Sequence, residues 1–142
     1  MSDRTESSIV VAAPPAAVAE VVADVESYPE WANGITRAEV VQRGDDGRPA
    51  RASFHLEAGP VRDDYTVDYV WADDEVSWTL VSAKVLTAMD GAYTFTAVPD
   101  GTEVGYRLKV DLAMPMLGML KRKAERAVVD TALKDLRRRV EG

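Results

Sequence analysis

The sequence predicts an α+β domain in which a curved antiparallel sheet of seven strands wraps around one long C-terminal helix. Three observations lead to this prediction. A helical period of apolar residues occurs near the start and again at the end, alternating apolar and polar residues fill the region between them, and tight turns separate the alternating segments. An antiparallel sheet has one apolar face to cover, and the terminal helix is the only element long enough to cover it. The length fits a single domain over residues 1–142.

The N-terminal region is predicted to hold one strand and two short helices. Glu6–Ala13 is short and β-branched, and Pro14–Pro15 ends that strand and suits the start of a helix. Four valines at helical spacing predict the first helix over Ala16–Val25. Ser27 is the predicted cap of the second helix, which ends at Asn33–Gly34, residues that tolerate a left-handed backbone.

Six further strands are predicted because the period changes from helical to two-residue alternation at position 35. They cover residues 35–43, 50–58, 62–71, 75–82, 86–98 and 102–112, and the turns between them are rich in glycine, proline and aspartate. Gly91 lies inside the fifth of these strands, where it predicts a bulge or bend that lets the sheet curve.

The terminal helix is predicted over Met116–Val140, after Met114–Pro115 has interrupted the pairing of the last strand. Its apolar stripe is predicted to comprise Leu117, Leu120, Ala124, Val128, Leu136 and Val140. Small residues in the middle of the helix, Ala127, Thr131 and Ala132, are expected to leave room between helix and sheet.

Charge and composition exclude several classes of function. The chain has a net charge of −7 and no cysteine, so disulfides, thiolate catalysis and cysteine-bound zinc are excluded. The polar, acidic N-terminus lacks the features of a signal peptide, and no apolar run is long enough to span a membrane. We therefore expect a cytoplasmic protein without membrane insertion. Residues 1–118 carry 9 Lys/Arg and 20 Asp/Glu, an acidic body that disfavours nucleic acid as a partner.

The C-terminal helix is basic, because residues 119–142 hold 8 Lys/Arg and 4 Asp/Glu. A solvated outer face that complements the acidic sheet and the helix dipole is the favoured interpretation. A surface that binds an acidic protein partner stays open as an alternative. The sequence also leaves open whether the chain forms a homodimer.

No catalytic or metal-binding set is visible, and no cofactor is expected. His55 is the only histidine, and alternation places it on the wet face of its strand beside Ser53 and Glu57. The acidic pairs Asp45–Asp46, Asp63–Asp64 and Asp73–Asp74 lack the spacing of a calcium loop and are expected to be solvated turn residues. We therefore predict no catalytic residue, and an enzyme is the less favoured interpretation.

Aromatic residues carry the functional prediction. If the alternation gives the register correctly, the aromatic side chains of the predicted strands all point toward the terminal helix. Several tyrosines on one concave face are more typical of a ligand pocket than of a tightly packed core. Trp31 is placed at the mouth of such a pocket, and the methionines around Pro115 suit a mobile gate because methionine adapts to varied apolar shapes. The predicted ligand-binding residues are Trp31, Phe54, Leu56, Tyr65, Tyr69, Trp78, Tyr93, Tyr106, Met114 and Met119.

Two segments make the chain resemble a known superfamily: PPAAVAEVVADVESYPEW near the start and YRLKVDLAMPMLGMLKRK near the end. With this order of elements, and with the spacing V-x-x-V-x-x-Y-P-x-W that begins at Val22, the chain resembles the START-like (SRPBCC) superfamily over essentially its whole length. It is most similar to polyketide cyclase/dehydrase-like and coenzyme-Q-binding-like bacterial members. The resemblance implies a helix-grip fold with a cavity for a lipid, polyketide, isoprenoid or quinone-like molecule.

Three functions follow from the residues and the resemblance together. The first is a binding or carrier protein for a hydrophobic small molecule. The second is a cyclase or dehydratase on a polyketide-like substrate, in which Tyr65, Tyr69, Tyr93 or Tyr106 would act as the acid. The third is a protein-interaction module that uses the basic C-terminal helix. We favour them in that order.

Overall fold

The computed structural model describes residues 5–58, 61–113 and 118–142, and only the backbone of residues 58 and 118–121. It contains seven strands and three helices in the predicted order. The strands are β1 (Thr5–Val11), β2 (Ile35–Arg43), β3 (Pro49–Ala58), β4 (Val61–Trp71), β5 (Glu75–Ser82), β6 (Leu86–Val98) and β7 (Gly101–Leu112). The helices are α1 (Pro15–Ala23), α2 (Tyr28–Trp31) and α3 (Gly118–Glu141).

The strands form one antiparallel sheet in the order β1-β7-β6-β5-β4-β3-β2. Neighbours from β2 to β7 are consecutive in the chain, so tight turns suffice to join them, and β1 pairs with β7 at the far edge. Shifts in register interrupt the β2–β3, β4–β5 and β6–β7 ladders. The predicted seven-stranded sheet and its helix-grip arrangement are confirmed.

Gly91 does not form the predicted bulge, because the register of β6 is regular on both sides of it. Its role is to leave room for a ring. A Cβ atom at position 91 would lie only 2.3 Å from Cε2 of Trp78 on the neighbouring strand. The absence of a side chain therefore lets the indole lie flat against β6, an approach that glycine alone permits.

Helix α1 begins at Pro15, one residue before the predicted start, and ends at Ala23, two residues before the predicted end. A 3₁₀ turn over Val25–Ser27 then leads into α2. The predicted cap by Ser27 is wrong, because its side chain makes no capping hydrogen bond and its backbone is already helical. Gly34 has the left-handed backbone expected after α2, with φ of 91°. The two short helices close one end of the sheet.

Helix α3 packs mainly on β1 and β7. Its buried stripe consists of Glu125, Val129, Leu133 and Leu136, with Ala132 and Val140 partly buried beside it. The predicted stripe is therefore wrong in its middle, where Ala124 and Val128 are exposed. The stripe is rotated because the buried Glu125 interrupts the apolar pattern from which the helix phase was taken.

Both ends of α3 are joined to the rest of the fold. The carboxylate of Glu125 accepts hydrogen bonds from the Thr5 hydroxyl (3.2 Å) and the Val110 N–H (2.8 Å), which fixes the helix against β1 and β7. Toward the C-terminus, Asp135 accepts the Asn33 N–H at 2.9 Å and Arg139 pairs with Glu30 at 3.2 Å. Among the helices of the described residues, none is long and apolar enough to cross a membrane.

Candidate ligand-binding site

The concave face of the sheet, which faces α3, carries two groups of aromatic rings. In the first, Phe54 of β3 stacks on Tyr65 of β4, with ring centroids 5.3 Å apart. The second group extends from Tyr69 of β4 to β7 through edge-to-face and tilted contacts, the geometry that aromatic quadrupoles favour. Its rings and their separations are Tyr69–Trp78 (6.1 Å), Trp78–Tyr93 (5.5 Å), Trp78–Tyr106 (5.7 Å) and Tyr93–Tyr106 (4.6 Å).

Helix α2 extends this array away from the sheet. Trp31 meets Tyr28 edge-on at 5.1 Å, and Tyr28 stacks on Phe54 at 5.8 Å. Tyr28 was absent from the predicted ligand-binding residues, although it connects Trp31 to the sheet. The signal for it was present in the sequence, since residues three positions apart lie on the same side of a helix.

The remaining predicted site residues lie apart from the rings or outside the description. Leu56 is partly buried on β3, next to Gly34, and has no place in the ring array. Met114 lies outside the described residues, as does the side chain of Met119, so the predicted methionine gate is untested. The structure thus brings seven of the ten predicted residues together, and their contact with a ligand stays a prediction.

The tyrosines of this face are desolvated, and yet several keep accessible surface. Burial raises the pKa of Tyr28, Tyr69 and Tyr93 well above the usual value, and neighbouring tyrosines raise it further. The rings of Tyr28, Tyr65 and Tyr69 are nevertheless only partly buried. These three tyrosines are therefore desolvated without being fully packed.

Polar atoms of the array are unevenly satisfied. The Tyr28 hydroxyl donates to the Val22 carbonyl, and it also interacts with the hydroxyl of Tyr69. The rings of Tyr65, Tyr93 and Tyr106 make aromatic contacts, and burial raises the pKa of each hydroxyl.

The indole N–H of Trp31 is the clearest unsatisfied group. Among the described residues it is the one buried side-chain nitrogen or oxygen that has no hydrogen-bond partner. Leaving such a donor unpaired costs about 1–3 kcal/mol, so it is rare in a native structure and calls for an explanation. By contrast, the Trp71 indole N–H donates to the Pro49 carbonyl at 2.9 Å.

The convex, outer face of the sheet has the opposite character, because its polar side chains pair with each other. His55 lies there as predicted, with Nδ1 2.7 Å from Asp64 and Nε2 3.2 Å from Glu57. Asp64 also pairs with Arg37 at 3.2 Å, and Arg51 makes two contacts with Asp68, at 2.6 and 3.1 Å. His55, chiefly through its hydrogen bond, and Lys84, at 3.5 Å, lower the pKa of Asp64.

Asp63 overturns the expectation that all three acidic pairs are solvated. It is 3% exposed, and its carboxylate accepts N–H groups from Lys84 (2.9 Å), Val85 (3.1 Å) and Leu86 (2.8 Å). The side chain therefore holds the start of β6 against β4. Sequence reasoning missed it because the neighbouring Asp64 points to the outer face, and the pair looked like one polar turn.

Two clefts flank the β2–β3 turn, and the first of them reaches the aromatic array at Tyr69. One has a volume of about 340 Å³ and contains Arg48, whose guanidinium lies 4.8 Å from the ring centre of Trp71, and Tyr69 at its inner end. The other, of about 390 Å³, separates the turn from α1. Acidic residues outnumber basic ones around both clefts.

In the described ranges, no group of three or more acidic or histidine side chains is arranged to hold a metal ion.

Comparison with known proteins places this fold. A family model described as polyketide cyclase/dehydrase and lipid transport matches residues 2–141. A START superfamily protein from Mycobacterium smegmatis is similar over 97% of both chains, with a TM-score of 0.91 and 23% identity. An aromatase/cyclase from Streptomyces sp. R1128 has a TM-score of 0.79 and 16% identity, and the match covers 97% of this chain and 93% of that one. A STAR-related lipid transfer protein from Xanthomonas axonopodis has a TM-score of 0.78 and 17% identity, over 98% and 86% of the two chains.

Proposed function

Because the chain belongs to the polyketide cyclase/dehydrase and lipid transport family, we propose that it binds and carries a hydrophobic small molecule between the sheet and α3. The proposed ligand is a lipid, polyketide, isoprenoid or quinone-like molecule. The observation that carries the proposal is the row of tyrosine rings that are desolvated yet accessible on the concave face. Ligand sites are mostly apolar, with a few placed polar groups, and this face has that composition.

The position of α3 supports a site over β3, β4 and β5. The helix packs on β1 and β7, at one side of the sheet, whereas α2 lies against β2 at the other. Phe54, Tyr65, Tyr69 and Trp78 lie on the strands between these two supports. An apolar molecule placed there would contact rings on several sides and would displace water from them, which favours binding.

Binding is favoured over catalysis by the chemistry of the tyrosines. A general acid works best when its pKa is near the working pH, and burial moves the pKa of all five tyrosines away from neutrality. Their hydroxyls remain able to orient a ligand by hydrogen bonding.

The proposal retains two parts of the sequence prediction. The protein is proposed to act in the cytoplasm, and nucleic acid is not proposed as a partner because the net charge is −7.

A pair of neighbouring substitutions tests the proposed site. Leu80 is partly buried against the concave face, whereas Val81 points outward and is 44% exposed. Leu80→Trp should fill the space before β4 and weaken binding of a fluorescent apolar probe by about tenfold or more, which is roughly 1.4 kcal/mol. Val81→Trp should leave the probe affinity unchanged. Equal affinity in the two variants, or no binding of apolar probes to the unmodified protein, would contradict the proposal.

A further inference from the structure

The unpaired indole N–H of Trp31 lies in a part of the molecule whose geometry is fixed. Its ring is held edge-on by Tyr28 at 5.1 Å. The helix that carries it is attached to α3 by the Arg139–Glu30 pair at 3.2 Å and by the Asn33 N–H bond to Asp135 at 2.9 Å. Fraying of α2 is therefore a poor explanation of a donor without an acceptor.

Nearby acceptors do not satisfy this N–H. The hydroxyl of Tyr28, the nearest ring, is engaged with the Val22 carbonyl and with Tyr69. The carboxylate of Asp135 on α3 accepts a hydrogen bond from the Asn33 N–H and lies 3.6 Å from Arg138. A buried donor that no acceptor of the described residues satisfies can instead be satisfied by an oxygen atom of a ligand.

The charge of the surrounding interior limits what that acceptor is. The buried ionisable residues of the described chain are Asp63 at 3%, Glu125 at 1% and Asp135 at 7% exposure, and all three are acidic. A ligand carboxylate placed in the same interior would lose its hydration and would meet charges of its own sign. A neutral oxygen, such as that of a ketone, quinone or ester, accepts a hydrogen bond without this cost.

We propose that Trp31 Nε1 donates a hydrogen bond to a neutral carbonyl oxygen of the ligand, which selects carbonyl-bearing apolar molecules over hydrocarbons and over fatty-acid anions. This inference rests on the proposed function, since it specifies the ligand of the same site. The hydroxyls of Tyr65, Tyr93 and Tyr106, which lie on the same face, can donate to further oxygens of such a ligand.

The test compares three probes of one shape on two tryptophan variants. The probes are 2-acetylnaphthalene, its hydrocarbon isostere 2-isopropenylnaphthalene, and the anion 2-naphthoate. Trp31→Phe keeps an aromatic ring and removes the free N–H together with part of the ring volume, a loss that the hydrocarbon probe controls for. Trp71→Phe is the matched control, because its N–H already has a partner in Pro49.

The unmodified protein should bind the ketone most tightly and the anion most weakly. In Trp31→Phe the ketone affinity should fall by about tenfold, the value of one hydrogen bond, while the hydrocarbon affinity stays within about twofold. Equal losses for ketone and hydrocarbon, or a loss for neither, would overturn the assignment of Trp31 and leave the binding site itself intact. Failure of all three probes to bind the unmodified protein would overturn the proposed function and this inference together.

Stability of the free protein gives a second, ligand-independent readout. Both variants lose the same ring volume, which lowers the midpoint of urea unfolding. Trp31→Phe also removes an unpaired donor, whereas Trp71→Phe also breaks an existing hydrogen bond, so the midpoint should fall less in Trp31→Phe than in Trp71→Phe. A fall in Trp31→Phe as large as that in Trp71→Phe would mean that the Trp31 N–H has a partner in the free protein, and the inference would be wrong.

Discussion

The two sides of the sheet differ in whether their polar groups have hydrogen-bond partners. On the convex face, His55, Asp64, Arg51 and Asp68 form hydrogen bonds and ion pairs with each other. On the concave side, the Trp31 N–H has no partner within the described residues, and its neighbours are aromatic rings. Groups that are already paired gain little from a ligand, whereas unpaired groups gain a full hydrogen bond. The contrast supports the proposal that the ligand binds on the concave face.

The largest expected effect distinguishes two adjacent aspartates on opposite faces of β4. Asp63→Ala leaves three backbone N–H groups, one buried and two partly buried, without an acceptor, so we expect a loss of about 3 kcal/mol in the free energy of unfolding. Asp64→Ala removes exposed ion pairs and should cost less than about 1 kcal/mol. Urea unfolding of both variants measures this. Similar losses would mean that the outer network is as important for stability as the buried carboxylate.

A second pair of substitutions compares glycines on the two faces. Gly91→Ala places a methyl group 2.3 Å from the Trp78 ring, which is confined by other aromatic rings, so a loss of about 2–3 kcal/mol is expected. Gly105→Ala meets Oγ1 of Thr94 at 2.5 Å, and that hydroxyl can rotate away, so its loss should be smaller. Thermal unfolding gives the stabilities, and near-ultraviolet circular dichroism reports the displaced indole. An unchanged Trp78 signal in Gly91→Ala would contradict the close approach.

Alkaline pH should weaken the fold through the concave face. Burial raises the pKa of every tyrosine in the folded chain, whereas in the unfolded chain each ionises near pH 10. Above about pH 10 the unfolded state therefore binds fewer protons than the folded state, and stability should fall as pH rises. Each suppressed ionisation contributes up to about 1.4 kcal/mol per pH unit. Phenolate absorbance should rise together with unfolding, and early, independent ionisation would show that the rings are solvated.

The smallest effect is expected at His55 on the outer face. His55→Gln removes a side chain that pairs with Asp64 and Glu57, and both of these keep other basic partners, Arg37 and Arg62. Stability should change by less than about 1 kcal/mol, and affinity for an apolar probe should stay the same. Isothermal titration with the probe tests the second expectation. A clear loss of affinity would mean that the outer face takes part in binding.

Much of the fold was predictable because alternation and turn residues are local signals. Strands β2, β5 and β6 have the predicted bounds, and the other strands differ by one or two residues at their ends. The same alternation put Phe54, Tyr65 and Trp78 on one face, since side chains of a strand alternate strictly between faces.

The errors arose where a buried polar residue or a distant contact decides the structure. Glu125 lies in the buried stripe of α3 because Thr5 and Val110, far away in the chain, donate to it. No helical pattern of apolar residues includes such a glutamate, so the predicted stripe was rotated to Ala124 and Val128. Likewise, position 91 requires glycine because the Trp78 ring of the neighbouring strand occupies the space that a side chain would need. Neither cause is visible without the tertiary contacts.

The most direct test of a concave binding face follows the three indole N–H signals in a proton–nitrogen correlation spectrum while 2-acetylnaphthalene is added. Trp31 and Trp78 belong to the concave array, and the Trp71 N–H is bonded to Pro49. The account predicts a large downfield shift for Trp31, a ring-current shift for Trp78 and little change for Trp71. A spectrum in which only Trp71 responds, or in which no indole responds, would contradict it.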